Sequence, residues 1–160
     1  MGSRSKSEDT AYIAGFLDGD GSVMLQVKAR GDTTRGVRFM ATICFYQDTR
    51  HEQPLSWIRT RLGVGYISRR NDGMTELRIN GFRRVRETLS VLQPFIRFKA
   101  RQVRALIRAC VILEQHSISM LSTRELRRLV KLVSRIRSEN YASRSTLSER
   151  ELYRRLGLTP

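Results

Sequence analysis

The chain alternates apolar and polar residues in several short stretches, which is the pattern of β-strands with one buried face. The stretches are Val23–Arg30, Val37–Tyr46, Tyr66–Arg70 and Met74–Asn80. Asn71-Asp72-Gly73 lies between the last two and is a strong hairpin-turn signal. Turn residues at 31–36 join the first two. We therefore predict two hairpins that form a four-stranded antiparallel sheet with one face packed on helices and one face open.

The other segments carry apolar residues at helical spacing. This spacing predicts helices at Pro54–Leu62, Phe82–Leu92 and Arg97–Gln115. Ser122-x-x-Glu125 is a capping box and opens a further helix. After a polar connector at Ser138–Ser145, Thr146-x-x-Glu149 caps a last short helix that ends at about Leu156.

The stretch Ala11–Ser22 reads AYIAGFLDGDGS and is predicted to begin as a helix, capped by Ser7, Asp9 or Thr10, and to end at Gly19 and Gly21. Carboxylates at a helix C-terminus are unfavourable by about 0.3–1 kcal/mol each, yet Asp18 and Asp20 stand there. A bound divalent cation would make the two carboxylates favourable at this helix end, because hard cations bind carboxylate and main-chain carbonyl oxygens. The alternative is a loop with two solvated acids and glycines that serve turn geometry.

Ala14-Gly-Phe-Leu-Asp-Gly-Asp-Gly-Ser22 resembles the signature of the LAGLIDADG homing endonucleases. The predicted element order is similar to that family's αββαββα core. The resemblance implies an α+β fold with a four-stranded antiparallel, saddle-shaped sheet followed by C-terminal helices. We expect a flexible arm at 1–7, the core domain at 8–115, and C-terminal helices at 116–160 packed on that core.

In that family the motif helices of two domains pack together, and the acids at their ends hold the metals that cut DNA. The motif occurs once here, so the resemblance implies a homodimer and a pseudo-palindromic target. Small residues permit close approach of two helix backbones. The residues expected at the dimer interface are Ala11, Ala14, Gly15 and Asp18.

The resemblance also implies roles at the predicted active site. Asp20 matches the metal-binding acid, the Gly19 carbonyl matches its main-chain ligand, and Asp18 matches the first motif acid, whose role is structural. Gln47, after the second strand, resembles the residue that orders water near the metal. Lys99 resembles the basic residue at the scissile phosphate. His51 stands where the family commonly has Arg or Lys, with Arg50 beside it, so its role is left open.

The net charge is +15 and the pI is about 11.2, which predicts a polyanionic partner, with nucleic acid favoured over a membrane. Side chains that recognise base edges lie on the predicted open face. The alternative is an ordinary solvated sheet face. The residues predicted to bind DNA on the open face are Gln26, Lys28, Arg30, Arg38, Thr42, Cys44, Ser68, Arg70, Glu76 and Arg78.

We therefore predict a site-specific double-strand DNA endonuclease that serves intron or intein mobility through metal-assisted phosphodiester hydrolysis. The expected cofactor is Mg²⁺, with Mn²⁺ or Ca²⁺ able to take the same site, and no organic cofactor or membrane partner is expected. The alternatives are an RNA splicing cofactor (a maturase) and a catalytically silent DNA-binding protein on the same scaffold. Intact motif acids argue against the silent protein, and the hidden major groove of A-form RNA argues for DNA.

Cys44 and Cys110 lack the spacing of a zinc site, and unpaired cysteines are typical of a reduced compartment. No apolar run is long enough to span a bilayer. We predict a location in the cytoplasm or nucleoid of a prokaryote, with an organelle as the alternative.

Overall fold

The computed structural model describes residues 5–140 and 147–159. The fold is α+β, and its first seven elements follow the order αββαββα that was predicted. Three additional single 3₁₀ turns lie at Thr49–His51, Gln93–Phe95 and Ile118–Met120. The helices and strands are α1 Lys6–Asp20, β1 Gly21–Ala29, β2 Val37–Asp48, α2 Gln53–Leu62, β3 Tyr66–Arg69, β4 Met74–Asn80, α3 Phe82–Leu92, α4 Ala100–Gln115, α5 Thr123–Glu139 and α6 Glu149–Arg155.

Helix α1 starts earlier than predicted. Ser5 is its N-cap and forms a capping box with Glu8, so the prediction of a cap at Ser7, Asp9 or Thr10 was wrong. Of the predicted arm, residues 1–4 lie outside the described residues, whereas Lys6 and Ser7 are already helical. The helix runs through Gly19 to Asp20, and Gly21 is its C-cap. Only glycine fits at Gly21, because a Cβ there would lie 2.5 Å from Leu17 Cδ1 and 2.8 Å from its carbonyl oxygen.

The sheet is antiparallel and has the strand order β1-β2-β4-β3. Gly21 pairs with Phe45, and Gln47 pairs with Thr75, so the end of α1 and the end of β2 lie at the same end of the sheet. Strand boundaries shift slightly: β1 begins at Gly21, Ala29 is exposed, and Arg70 follows β3. β2 is a central strand with a neighbour on each side, and this position affects how deeply its side chains are buried.

One hydrophobic core lies between the sheet and the helices, and residues of α5 and α6 join it. Arg97 to Lys99 precede α4 rather than forming its first turn, and Ser138 is the penultimate residue of α5 rather than part of the connector. Ser148 caps α6 by accepting from the N–H of Glu151. The predicted cap Thr146 and most of the connector lie outside the described residues.

None of the helices within the described residues combines the length and the apolar character that a membrane crossing requires.

Candidate active site and nucleic-acid interface

The Asp18 side chain joins the end of α1 to the start of α4. It is buried, and its two carboxylate oxygens accept hydrogen bonds from the N–H groups of Arg97 (2.5 Å), Phe98 (3.1 Å) and Lys99 (2.9 Å). The Lys99 N–H is one of the donors that the start of a helix leaves without an intrahelical partner, whereas Arg97 and Phe98 belong to the segment that leads into α4. Asp18 therefore fixes this segment to the end of α1, and its negative charge is favourable near the N-terminus of α4. α4 starts at Ala100, with Lys99 as its N-cap.

The Lys99 ammonium lies over the C-terminal end of α1. Nζ donates to the main-chain carbonyl of Asp18, and the Gly19 carbonyl oxygen is 3.5 Å away. Burial lowers the pKa of Lys99 below its usual value, while the charges of Asp18 and Asp20 oppose that shift. The structure thus brings the predicted basic residue to the carbonyls at the end of the motif helix.

Asp20 is exposed at the last position of α1, next to the Gly19 carbonyl. A carboxylate and a carbonyl oxygen are the donors that a hard divalent cation prefers. The Lys99 ammonium, drawn to the same carbonyls, shows that this helix end attracts positive charge. No group of three or more His, Cys, Asp or Glu side chains that could hold a metal ion occurs within residues 5–140 and 147–159.

A cleft of about 610 Å³ borders this helix end. Its walls come from α1, β1, β2, α4 and the end of α5. Gln102 is buried in α4 and donates to the carbonyl of Glu139 (3.0 Å) and to Asn140 Oδ1 (3.2 Å). The lining residues are Asp18, Gly19, Gly21, Ser22, Met24, Tyr46, Phe98, Lys99, Gln102, Glu139 and Asn140.

One side of α1 is uncovered in the protomer. Gly15 and Gly19 are exposed and Ala11 is half-buried, and these three residues are called the small-residue face below. Tyr12 is exposed beside them. A Cβ built at Gly15 or at Gly19 meets no atom within 4 Å. Another backbone could therefore approach α1 closely along this side.

The open face of the sheet is basic, but many of its charges are paired. Arg30 forms an ion pair with Asp32 at 2.9 Å, Arg70 with Asp72 at 2.8 Å, and Arg78 with Glu76 at 3.2 Å. Lys28 and Arg38 are exposed without an ion-pair partner in the described residues. Gln26 and Ser68 are half-buried on the same face. The face can contact a polyanion once the exposed pairs with Asp32 and Asp72 rearrange.

A model of the LAGLIDADG endonuclease family matches residues 13–103 of the chain. The chain belongs to this family.

The DNA endonuclease I-CvuI of Chlorella vulgaris is 31% identical over 97 residues, which cover 61% of this chain and 60% of I-CvuI. The DNA endonuclease I-CreI of Chlamydomonas reinhardtii is 28% identical over 115 residues, which cover 72% of this chain and 68% of I-CreI. A crystal structure of I-CvuI in complex with its target in the presence of 2 mM Ca superposes with a TM-score of 0.82 at 24% identity. The superposition covers 97% of this chain and 98% of the I-CvuI chain, and it shows that the two proteins share a fold.

Within this LAGLIDADG chain the structure brings Gly19, Asp20 and Lys99 together and places Gln47 at the same end of the sheet. Gln47 lies inside β2 rather than after it, and its side-chain carbonyl accepts from the N–H of Asp48 at 2.9 Å. His51 is exposed at the end of the 3₁₀ turn Thr49–His51 and does not line the cleft described above. The adjacent Arg50 is held by Asp48 at 2.8 Å.

Glu52 fixes the segment that carries His51. Its carboxylate accepts from Thr75 Oγ1 on β4 at 2.7 Å and forms an ion pair with Arg69 on β3. These hydrogen bonds, with Arg69 the larger influence, lower the pKa of Glu52 to about 2. The carboxylate therefore stays charged at neutral pH and ties the turn before α2 to the β3–β4 hairpin.

The placement of Thr42, Cys44 and Glu76 as accessible DNA contacts was wrong. Thr42 is 1% exposed, Cys44 0% and Glu76 7%. Thr42 and Cys44 are short side chains on the central strand β2: Thr42 lies between Met24 of β1 and Asn80 of β4, and Cys44 lies between Ser22 of β1 and Arg78 of β4. Cys44, for example, lies opposite Arg78, and burial raises the pKa of its thiol. Alternation along a strand predicts the face of the sheet on which a side chain lies, but not how far the neighbouring side chains cover it.

The assignment of Ala14 and Asp18 to the dimer interface was also wrong. Ala14 is 0% exposed because it lies with Ile13 and Leu17 on the core side of α1. Asp18 is buried against the start of α4, as described above. Ala11 and Gly15 remain candidates, since both belong to the small-residue face.

Several polar residues of the open face and of the cleft were not predicted from the sequence. Asn80 accepts from Thr42 Oγ1 at 2.9 Å and donates to the Tyr66 hydroxyl at 3.1 Å, which forms a polar chain on the open face. Its alternation with Glu76 and Arg78 was a usable signal. Gln102, Glu139 and Asn140 had no such signal, because they reach the cleft only through the packing of α4 and α5.

Asp18→Ala is expected to lower the free energy of unfolding by about 3 kcal/mol, because it leaves buried N–H groups at the start of α4 without an acceptor. Chemical denaturation followed by circular dichroism measures the change. Asp32→Ala is the control, since it removes an exposed loop carboxylate and should have little effect. Equal stability of the two variants would show that the Asp18 cap contributes nothing.

Proposed function

We propose that this protein is a site-specific double-strand DNA endonuclease that cuts a long, pseudo-palindromic target as a homodimer. The observation that carries the proposal is the exposed Asp20 carboxylate beside the Gly19 carbonyl and Lys99, at the end of the motif helix of a LAGLIDADG endonuclease family member. The inferred location is the nucleoid, in a prokaryotic cytoplasm or in an organelle.

The donor set fits a divalent metal ion, with Asp20 and the Gly19 carbonyl as ligands and Mg²⁺ as the expected ion. When bound, such an ion supplies Lewis-acid activation of water and charge neutralisation at the phosphate. Lys99 places a positive charge at the same helix end and is suited to stabilise the charge that develops on the scissile phosphate. Gln47, at the same end of the sheet, presents an amide that can orient water. His51, in the 3₁₀ turn that follows β2, stays a prediction as a further catalytic residue.

Dimerisation through the small-residue face of α1 would complete the site. One protomer presents one exposed motif acid, and a double-strand cut requires one such acid for each strand. Two α1 helices packed at Gly15 would bring two Asp20 carboxylates close together, because Gly15 allows backbone contact. A two-fold axis between the helices implies a target whose halves are related by the same symmetry.

The open face of the sheet is the proposed DNA-reading surface. Lys28, Arg38 and Arg70 are exposed donors that suit phosphates and guanine, and the half-buried Gln26 suits adenine. β1 has nine residues, which at about 3.3 Å per residue follow on the order of eight or nine base pairs. Each protomer could thus read most of one half-site in the major groove.

Incubation of the protein with a random library of duplex DNA tests the proposal. We expect Mg²⁺-dependent cutting of a small set of related, roughly two-fold symmetric sequences, and no cutting in EDTA. Sequencing of the cleaved ends gives the target and the cutting pattern. Binding of the library with no cleavage in Mg²⁺ or Mn²⁺ would contradict the endonuclease assignment.

A further inference from the structure

Helices α4 and α5 carry two rows of exposed cations. The rows follow spacings of three and four residues, which place each row along one side of its helix. The buried residues of both helices, such as Leu106 and Leu129, belong to the core against which the sheet packs. The rows therefore lie on the far side of these helices from the sheet. They consist of Arg101, Arg104 and Arg108 on α4, and Arg124, Arg128, Lys131 and Arg135 on α5, and are called the helical basic face below.

The two helices that carry the rows lie side by side. α4 and α5 pack against each other, and an ion pair of 3.4 Å between Arg101 and Glu139 joins the start of α4 to the end of α5. The helices are therefore antiparallel neighbours. At about 1.5 Å per residue the row from Arg124 to Arg135 extends roughly 16 Å. The helical basic face is thus an extended, rigid surface rather than a point charge.

Most cations of this face have no acidic partner. Within residues 5–140 and 147–159, Arg101 is the one member that forms an ion pair. On the open face of the sheet Arg30, Arg70 and Arg78 have acidic partners, whereas Lys28 and Arg38 have none within the described residues. Like charges three or four residues apart on a helix repel each other, so the α5 row is unfavourable for the isolated protein. A polyanion bound along the row would offset that repulsion.

We propose that the helical basic face binds the phosphate backbone of a second segment of duplex DNA, independently of the open face. Its members are guanidinium and ammonium groups, which suit phosphate, and the rows contain no amide or aromatic side chain for base recognition. A length of about 16 Å matches about five successive phosphates at ~3.4 Å per step of one strand. Contact on this face is therefore independent of sequence.

The occupant follows from the charge and from the proposed substrate. A target lies within a long duplex, so neighbouring segments are present at high effective concentration without any further partner. A protein that holds one segment on the sheet and another on α4 and α5 bridges the two. The inference rests on the proposed DNA substrate but not on cleavage of that substrate, and it goes beyond the proposed cutting activity.

A bridging assay in EDTA tests the proposal. A short biotinylated duplex on streptavidin beads is loaded with the protein, and capture of a second, fluorescent duplex of unrelated sequence is measured at about 0.1 M salt. We expect capture by the wild-type protein and a loss of at least about tenfold for Arg128→Gln/Lys131→Gln/Arg135→Gln, since each lost phosphate contact weakens binding and reduces its salt dependence. Glutamine is a good helix former, so α5 should stay folded, as circular dichroism would show.

The matched control is Arg59→Gln/Arg84→Gln/Arg150→Gln, which removes the same charge from exposed positions outside the two rows that also lack an ion-pair partner within the described residues. This variant should retain capture within about twofold, because salt screens the attraction between the duplex and charges that lie away from its binding surface. Equal loss in the two variants, or no capture by the wild-type protein, would overturn the proposal. Preferential capture of duplex RNA over duplex DNA would overturn it as well, in favour of an RNA surface. Failure of the cutting proposal would leave the bridging result unchanged, since the assay contains no divalent metal.

Discussion

Asp20→Asn is expected to abolish double-strand cutting while it leaves DNA binding largely intact. The substitution keeps the size of the side chain but replaces a charged oxygen ligand with a neutral amide at the end of α1. Loss of several kcal/mol of metal-dependent stabilisation of the transition state corresponds to a rate decrease on the order of 10³-fold or more. Binding should be equal or slightly tighter, because a negative charge near the phosphates is removed. Single-turnover cleavage of the selected target and an equilibrium gel shift measure the two quantities.

Glu87→Gln serves as the control for this experiment. It makes the same chemical change at an exposed residue of α3 that forms an ion pair with Arg83, away from the motif helix. We expect wild-type cutting by this variant. If Asp20→Asn still cut in Mg²⁺ at a comparable rate, the assignment of Asp20 as metal ligand would be wrong.

Gly15→Leu is expected to prevent dimerisation and, with it, double-strand cutting. A leucine would project from the small-residue face where the second α1 helix is proposed to pack. The protomer should stay folded and even gain about 0.8 kcal/mol, because leucine is a better helix former than glycine and the Cβ meets no atom of the protomer. Sedimentation equilibrium, with and without DNA, measures the association state, and thermal melting measures the stability.

Ser90→Leu provides the comparison for Gly15→Leu. It places the same side chain on an exposed helical position of α3, outside the small-residue face. This variant should associate and cut as the wild-type protein does. A Gly15→Leu protein that still formed dimers, or a wild-type protein that stayed monomeric on its target, would refute the proposed interface.

Local signals in the sequence were sufficient for the family and for most of the fold. The motif from Ala14 to Ser22 predicted the family that the match at residues 13–103 confirms. Alternation predicted the strands because one face of each strand is buried, and the predicted α+β fold with a four-stranded antiparallel sheet is confirmed. The family resemblance predicted the role of Lys99, and the structure places its ammonium over the end of the motif helix.

Errors appeared where burial depended on residues distant in sequence. Thr42 and Cys44 were assigned to an accessible face, yet both are buried on β2, which has a strand on each side. Ala14 was taken as a contact for another helix, but the core of the protomer already contacts it. A one-dimensional pattern gives the direction of a side chain and carries no information on the neighbours that tertiary packing supplies.

The sequence by itself determined the position of the motif acids, the sheet, the strongly basic charge and the single copy of the motif. These follow from local composition and periodicity, which act over a few residues. Only the tertiary structure decided which small residues of α1 remain uncovered, that Asp18 binds the segment before α4 and brings Lys99 to the motif helix, and that α4 and α5 carry a group of cations that mostly lack ion-pair partners within the described residues. The physical reason is that hydrogen bonds, ion pairs and burial join residues distant in sequence, such as Asp18 and Lys99, which are about half the chain apart.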